Sequence, residues 1–159
     1  MWRRADAIAV RPIGWVENAR HDLNDDRWNG TVSTVVLDPE QFGVSAVLGL
    51  DQFSHIEVLF YFHRIAAASV HWGARRPREN PAWPASGILT QRAAARPNRL
   101  GVARCRLLKI DGLRLTVSEL DALDGTPVLD VKPYMEEFGP RGPVHQPAWS
   151  REVMRDYFD

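Results

Sequence analysis

The sequence contains a single cysteine in 159 residues, which excludes a disulfide framework. It also has no Cys/His set at zinc-ligand spacing, no glycine-rich turn for a phosphate or dinucleotide, and no serine in a nucleophile elbow. The common signatures of zinc domains, dinucleotide enzymes and serine hydrolases are therefore missing, and we expect no metal. Cys105 lies in an apolar-rich run, which favours a buried structural thiol over a nucleophile.

Long apolar runs are missing as well. No segment reaches the roughly 20 apolar residues of a membrane span, and residues 1–10 lack the apolar core of a signal peptide. We therefore expect a cytoplasmic protein with no membrane partner. A composition of 45% hydrophobic and 25% charged residues is typical of one globular domain, here residues 1–159.

Lysine is scarce, and the charges are unevenly distributed although the formal net charge is zero. The chain has two Lys and eighteen Arg. Residues 64–106 carry nine Arg and one acidic residue, whereas residues 17–57 carry eight acidic residues and two Arg. This asymmetry is typical of a basic patch for nucleic acid, and an overall preference for Arg explains it equally well.

Short strand patterns with turn signals dominate the chain. We predict strands at residues 7–16, 31–37, 53–64, 102–110, 113–120 and 128–131. The Asp-Gly pair at 111–112 predicts a hairpin, and a second Asp-Gly pair at 124–125 marks another tight turn. The spacing predicts a mainly β fold, a small antiparallel-rich barrel over about 6–134 with a few short helices.

Two helix starts are predicted. Asp38 is placed to cap a short helix, with Pro39 at its first position and Gln41 reaching back. Ser150 is placed to cap a final helix in the segment 135–159, whose apolar residues at 153, 154, 157 and 158 fall on one side. We expect that side to dock on the barrel.

The connection at residues 66–85 combines cations and aromatic rings. It holds Arg75, Arg76 and Arg78, with Trp72 and Trp83 on either side. Arginines interleaved with aromatics suit phosphate contacts and base stacking. A loop pinned to the barrel by its tryptophans is an equally good interpretation. The acidic loop at 18–30 is interpreted as a solvated loop, since its His and Asp residues match no metal-ligand spacing.

Polar residues cluster at the turns between residues 87 and 134, where strands end. They are Arg92, Arg96, Asn98, Asp121, Asp124, Asp130, Lys132 and Tyr134. Arg92 is suited to clamp a carboxylate, and the Asp residues are suited to an ammonium group or ribose hydroxyls. The sequence supports two roles for Asp124 and Thr126, which are to stabilise the turn and to form part of the ligand site. The residues alone therefore predict a polar ligand site on a β scaffold.

Several segments resemble the TsaA-like family of tRNA methyltransferases. They are GILTQR at 87–92, RPNRLG at 96–101 and DALDGTPVLDVKPY at 121–134, with GLDQFSHI at 49–56 and FYFH at 60–63 upstream. The resemblance covers roughly residues 13–134. It implies a single-sheet barrel, a homodimer, S-adenosylmethionine as cofactor, and N6-methylation of threonylcarbamoyladenosine beside the tRNA anticodon. A methyltransferase for a small metabolite and a non-catalytic S-adenosylmethionine-binding protein are the alternatives.

The resemblance also implies site residues. The cofactor contacts fall on His63, Arg64, Arg92, Val102, Ser118, Glu119, Leu120 and Asp121. Charge and position along the chain, rather than the resemblance, place the acceptor at Arg75, Arg76, Arg78, Arg96, Asn98, Asp124, Thr126, Asp130, Lys132 and Tyr134. Asp121 and Asp130 are the candidates for a base that takes the acceptor's proton.

Three features depart from the family pattern. The acidic loop replaces a basic Pro-Gln segment, Thr-Gln-Arg at 90–92 stands where Ala-Thr-Arg is usual, and the chain ends soon after the barrel, without the extra C-terminal domain of larger bacterial members. The acidic loop favours a small or cationic acceptor, whereas the arginines favour tRNA.

Overall fold

The computed structural model describes residues 7–24 and 26–159, so Asp25 of the acidic loop and the first residue of the predicted barrel lie outside the described residues. The strands of the described part are Gly14–Glu17 (β1), Val32–Leu37 (β2), His55–Tyr61 (β3), Ala74–Arg75 (β4), Ser86–Gly87 (β5), Leu100–Asp111 (β6), Arg114–Ser118 (β7) and Pro127–Pro133 (β8).

Six of these strands close into one antiparallel barrel. Their order around the barrel is β1-β2-β7-β6-β3-β8, and β8 closes it on β1 through the pair Gly14↔Val128. Strands β4 and β5 form a separate two-stranded sheet in the long connection. The prediction of a mainly β, antiparallel barrel with a few short helices is confirmed.

The barrel interior is filled by alternate side chains of its strands. In β3, Ile56, Val58 and Phe60 are buried, whereas the residues between them are only partly buried. Successive side chains of a strand point to opposite faces, so this pattern places one face in the core and the other at the surface. Strand β3 lies between β6 and β8, in the central position that its apolar sequence predicts. Cys105 of β6 is fully buried in the same core, as predicted.

The two Asp-Gly turns lie where they are predicted. Gly112 joins β6 to β7 with φ of 58°, and Gly125 precedes β8 with φ of 74°. Both angles are in the left-handed region that favours glycine.

The first strand is shorter than predicted. Strand β1 begins at Gly14, so the prediction that it starts at residue 7 is wrong. Pro12 has no N–H for a ladder bond. Its carbonyl accepts a bond of 2.9 Å from Gln41 Nε2 instead, and this ties the entry of the strand to the turn after β2.

The predicted helix at Asp38 is a turn. Asp38 Oδ1 accepts a bond of 2.9 Å from the Glu40 N–H, and Asp38 Oδ2 accepts one of 2.6 Å from Gln41 Nε2. The bond from the Asp38 side chain to the following backbone thus forms, but the Asp38 N–H donates to the Ile13 carbonyl and not to Gln41. The chain continues only into 3₁₀ turns at Val44–Val47 and Leu50–Gln52.

One α-helix, α1, is present in the described residues, at Ala148–Val153. The prediction that Ser150 caps it is wrong, because Pro147 holds the cap position and Ser150 Oγ donates to the Pro147 carbonyl at 2.7 Å. Within the described part of the chain, no helix has the length and apolar character needed to cross a membrane.

Gly101 is a position where the barrel has no room for a larger residue. A Cβ at Gly101 would lie 2.4 Å from the ring of Phe60, which is 1% exposed and packs against Phe62. We expect Gly101→Ala to lower the free energy of unfolding by about 1–3 kcal/mol, as measured in urea, because the buried ring has to shift. Gly87→Ala is the control, since nothing lies within 4 Å of its added Cβ. Equal stability of the two variants would contradict this packing.

Candidate cofactor site

A cavity of about 540 Å³ opens between the barrel wall and the last residues of the chain. Its charged lining residues are Glu57, Arg92, Arg104, Glu119 and Asp121. Its other lining residues are Val102, Ala103, Met154, Tyr157 and Phe158. The cavity therefore combines charges of both signs with an apolar and aromatic surface.

Arg92 is held at the cavity by the buried residue before it. The side-chain nitrogen of Gln91 donates to the carbonyls of Arg75, at 2.8 Å, and Ser86, at 3.0 Å. These bonds fix the turn after the 3₁₀ segment Ile88–Thr90. Arg92 Nη2 donates to the Val102 carbonyl at 2.7 Å, so two residues predicted to contact the same cofactor touch each other.

Asp121 is the most perturbed acid at the cavity. Burial raises the pKa of its carboxyl, and a bond from Tyr157 and the charge of Arg92 offset only part of this effect. Tyr157 Oη donates to Asp121 Oδ2 at 2.5 Å. Asp121 Oδ1 is buried and has no hydrogen-bond partner among the described residues. A buried acceptor without a partner is costly, and it marks a place where a ligand's donor is expected.

The far wall of the cavity belongs to residues 148–159, here called the C-terminal segment. It is held by backbone bonds from Arg27 N to Asp156 O, at 2.9 Å, and from Trp28 N to Tyr157 O, at 2.8 Å. Trp83 Nε1 donates to Glu152 Oε2 at 2.7 Å. The segment therefore docks on the acidic loop and the long connection as well as beside the barrel.

Four of the eight predicted cofactor residues line the cavity, and four do not. Arg92, Val102, Glu119 and Asp121 line it. His63, Arg64, Ser118 and Leu120 are outside the lining, and Leu120 is fully buried in the barrel core. The cofactor roles of all eight stay predictions.

His63 lies near the Asp-Gly turn that leads into β8. Its Nδ1 is 3.3 Å from the hydroxyl of Thr126, which is buried. Burial lowers the pKa of His63, the charge of Arg64 lowers it further, and Asp124 opposes both. His63 is therefore placed to be a neutral hydrogen-bonding residue near pH 7.

Asp124 fixes the turn that carries it. Its Oδ1 accepts a bond of 3.0 Å from the Asn18 N–H, and its Oδ2 lies 3.7 Å from His21 Nδ1. Asn18 in turn donates through its side chain to the Ala122 carbonyl at 2.8 Å. Turn stabilisation is thus visible in the structure, and a role in binding stays a prediction.

The arginines of the long connection make contacts within the protein. Arg78 donates two bonds to Asp26, at 2.8 and 2.6 Å, and so joins the basic connection to the acidic loop. Arg76 donates to the carbonyls of Trp83 and Pro81. The acidic loop is therefore docked and is not simply solvated, because Asp26 is paired and Trp28 is buried. A phosphate-binding role of Arg75, Arg76 and Arg78 stays a prediction.

The remaining predicted acceptor residues lie outside the cavity lining. Arg96 donates to the Gln91 carbonyl at 2.8 Å, and Asn98 adopts φ of 61° in the turn before β6. On β8, Lys132 Nζ lies 2.7 Å from Asp130 Oδ2, and this bond raises the pKa of Lys132. The ring of Tyr134 lies 5.2 Å from the guanidinium of Arg104.

Sequence reasoning missed several lining residues. Glu57 and Arg104 face each other across β3 and β6, with Arg104 Nε donating to Glu57 Oε1 at 2.7 Å. The alternation of β6 puts Arg104 on the same face as Val102, and this was a usable signal. No sequence signal connects the C-terminal segment to Asp121, because the contact with Tyr157 spans 36 residues.

Metal-ligand sets and thiols are two further kinds of reactive group. Among residues 7–24 and 26–159, no group of His, Cys, Asp and Glu side chains is arranged to hold a metal ion. Burial raises the pKa of Cys105 to about 12, so its thiol is not a nucleophile at neutral pH.

Residues 24–139 match the family described as the tRNA-methyltransferase O N-terminal domain. The chain belongs to this family. The match includes the four predicted cofactor residues that line the cavity and ends before the C-terminal segment. The resemblance seen in the sequence is therefore confirmed at the level of the family.

Three similar proteins illustrate this membership in the tRNA-methyltransferase O N-terminal domain family. The human tRNA (adenine(37)-N6)-methyltransferase is 37% identical over 102 residues, 64% of this chain and 23% of the human protein. A probable S-adenosyl-L-methionine-binding protein of Methanothermobacter thermautotrophicus is 37% identical over 142 residues, 85% of this chain and 96% of that protein. The crystal structure of TrmO from Pseudomonas aeruginosa superimposes with a TM-score of 0.68 at 28% identity, over 88% of this chain and 62% of that one.

Proposed function

We propose that this protein is an S-adenosylmethionine-dependent methyltransferase that acts on N6 of the adenosine beside the tRNA anticodon, in its threonylcarbamoyl form. The observation that carries the proposal is the cavity in which Arg92 and the buried carboxyl of Asp121 lie beside an apolar wall. The name of the human relative supports the tRNA acceptor.

The lining residues fit the chemical groups of S-adenosylmethionine. The ligand has a carboxylate, an ammonium, a sulfonium, a ribose and an adenine. Arg92 suits the carboxylate, and the acids Glu119 and Asp121 suit donors and positive charge. The unpartnered Oδ1 of Asp121 gives one such donor a place to bind. The apolar wall suits the adenine.

The bound cofactor supplies an activated methyl group on its sulfonium. The protein's own tasks are then to align the acceptor nitrogen and to accept its proton. Of the two candidate bases, we favour Asp121, because it lines the cavity and its raised pKa brings it nearer to the working pH. Asp130 lies outside the lining and is paired with Lys132.

The acceptor side is the surface where the long connection meets the acidic loop. A tRNA phosphate is an anion, as a carboxylate is, so it can replace an acid as the partner of an arginine, and the displaced acid is then left unpaired. We propose that Arg78 exchanges Asp26 for a phosphate when tRNA binds. A small or cationic acceptor, favoured by the acidic loop, is the alternative.

Removing Asp26 tests this acceptor surface. We expect Asp26→Ala to strengthen tRNA binding, because Asp26 no longer competes with a phosphate for Arg78. Asp22→Ala is the matched control, because it removes the same charge from an exposed position of the same loop. Filter binding at one fixed KCl concentration measures the tRNA affinity of both variants. Equal affinities for the two variants would rule out the exchange.

The remaining proposals follow from family membership. We propose that the chain acts as one TsaA-like domain, as a homodimer, in the cytoplasm. The homodimeric state of the TsaA-like family supports the dimer, and the tRNA acceptor supports the cytoplasmic location. Sedimentation at micromolar concentration tests the dimer, and a monomer there would contradict it.

A second candidate is a non-catalytic S-adenosylmethionine-binding protein. It is favoured by the Methanothermobacter relative, which is described as a binding protein and aligns over 96% of its own length. The chain spans about a quarter of the human methyltransferase, so the human name describes a much longer protein. Binding of the cofactor without methyl transfer to any tRNA would select this candidate.

Calorimetric titration tests the cofactor. We expect saturable binding of both S-adenosylmethionine and S-adenosylhomocysteine to the purified chain. Absence of heat, together with an unchanged melting temperature at millimolar ligand, would contradict the proposed function.

A further inference from the structure

The C-terminal segment supplies a wall of the cavity that the family match does not include. Met154, Tyr157 and Phe158 line the cavity, whereas the match ends at residue 139. Five of the ten lining residues are apolar or aromatic, and three of these five belong to the C-terminal segment; the other two are Val102 and Ala103 of the barrel.

Contacts within the protein hold this wall in place. Backbone bonds from Arg27 and Trp28 to Asp156 and Tyr157 fix the segment next to the acidic loop. The rings of Tyr157 and Phe158 pack edge to face, with centroids 4.9 Å apart and planes at 81°. An aromatic surface that the protein's own contacts hold in place loses little conformational entropy when a flat ligand packs against it.

Tyr157 connects the apolar and the polar parts of the cavity. Its ring belongs to the wall, and its hydroxyl donates to Asp121 Oδ2 at 2.5 Å. That bond engages one carboxyl oxygen and leaves Oδ1 without a partner among the described residues. The orientation of Asp121 toward a ligand therefore depends on Tyr157.

We propose that Tyr157 is a cofactor-binding residue whose ring, with Met154 and Phe158, packs against the adenine, and whose hydroxyl orients Asp121. The proposal rests on the proposed function, since it assumes an S-adenosyl ligand. Adenine is flat, with π faces that suit aromatic and thioether contacts. The methionine half carries the charges and suits the side of the cavity that holds Arg92.

Two ligands separate the two roles of Tyr157. Full-length protein is titrated with S-adenosylhomocysteine and with methylthioadenosine, which keeps the adenosine half and lacks the amino-acid charges. We expect Tyr157→Ala to weaken both ligands about tenfold or more, through lost stacking. Tyr157→Phe keeps the ring, so methylthioadenosine should bind nearly as to the parent.

The pH dependence of Tyr157→Phe adds a readout that a purely structural role would not change. Loss of the hydroxyl removes a bond that lowers the pKa of Asp121. The affinity for S-adenosylhomocysteine is expected to fall at low pH as Asp121 becomes protonated. In this variant the fall should therefore begin at a higher pH than in the parent. The other charged residues that line the cavity are unchanged in this variant: Glu57 on β3, Arg104 on β6, Glu119, and Arg92 on its turn.

A control variant and a second test variant accompany Tyr157→Ala. Phe138→Ala is the control, since Phe138 is 76% exposed and outside the cavity lining, and it should bind both ligands as the parent does. If Tyr157→Ala melts early, Phe158→Ala carries the same expectation for methylthioadenosine, because Phe158 is 46% exposed and less important for folding. Unchanged or tighter binding by a folded Tyr157→Ala or Phe158→Ala variant would overturn the proposal and leave the proposed function standing. Absence of binding by the parent would overturn both.

Discussion

Replacing Asp121 with Asn is expected to lower the rate of methyl transfer to tRNA by about 10²–10⁴-fold. The amide cannot accept the proton of the acceptor nitrogen, although it still accepts a bond from Tyr157. The parent's kcat/KM should rise with pH as Asp121 ionises, at a pH above the usual range for an aspartate because burial raises its pKa. The Asn variant should lose this rise of kcat/KM with pH. Steady-state rates over a pH series measure both the lower rate and the changed pH dependence.

Stability separates this loss from unfolding. Burial raises the pKa of Asp121 in the folded protein above its value in the unfolded chain. The protonated carboxyl therefore stabilises the fold fully below the unfolded pKa, and this stabilisation is lost as the pH rises through the folded pKa. Above the folded pKa the ionised, buried carboxylate is therefore unfavourable, and Asp121→Asn should melt there at the parent's temperature or higher. Asp111→Asn is the control and should keep its activity, since Asp111 is 73% exposed at the hairpin between β6 and β7 and lies outside the cavity lining. A fully active Asp121→Asn variant would exclude Asp121 as the base.

Replacing Arg92 with Ala is expected to weaken S-adenosylmethionine binding by about 1.5–3 kcal/mol, because a charge-assisted hydrogen bond to the ligand is lost. This corresponds to roughly 10- to 150-fold in Kd. The tRNA affinity should change little, because Arg92 lines the cavity in which we propose that the cofactor binds. Calorimetry with S-adenosylmethionine and filter binding with tRNA measure the two affinities.

A second arginine distinguishes a local effect from a general loss of charge. Arg106 is exposed on β6, outside the cavity lining, so Arg106→Ala removes the same charge without touching the site. It should bind S-adenosylmethionine as the parent does. Equal losses in both variants would mean that the cavity does not hold the cofactor carboxylate at Arg92.

The barrel was predictable because its signals are local. Alternating apolar residues mark each strand, and the Asp-Gly pairs before Leu113 and Thr126 mark turns that need positive φ. Element ends were less predictable. Asp38 and Ser150 carry the residue types of helix caps, but both make their bonds within short turns, and Pro147 takes the cap position of α1.

The candidate site was predictable on one side only. Arg92 and Asp121 lie in segments that resemble a known family, and both line the cavity. The opposite wall depends on contacts between distant segments, such as Asp121 with Tyr157, 36 residues away, and Asp26 with Arg78, 52 residues away. The pattern along the chain contains no signal for such pairs, because they form only when the loops dock around the closed barrel.

Methyl transfer to a defined tRNA tests the central claim most directly. The purified chain is incubated with isotopically labelled S-adenosylmethionine and with tRNA that carries threonylcarbamoyladenosine beside the anticodon, in parallel with the same tRNA lacking that group. Mass spectrometry of the digested nucleosides should show one labelled methyl group on threonylcarbamoyladenosine and none on the unmodified adenosine. Saturable S-adenosylmethionine binding with no label on either tRNA would contradict the account.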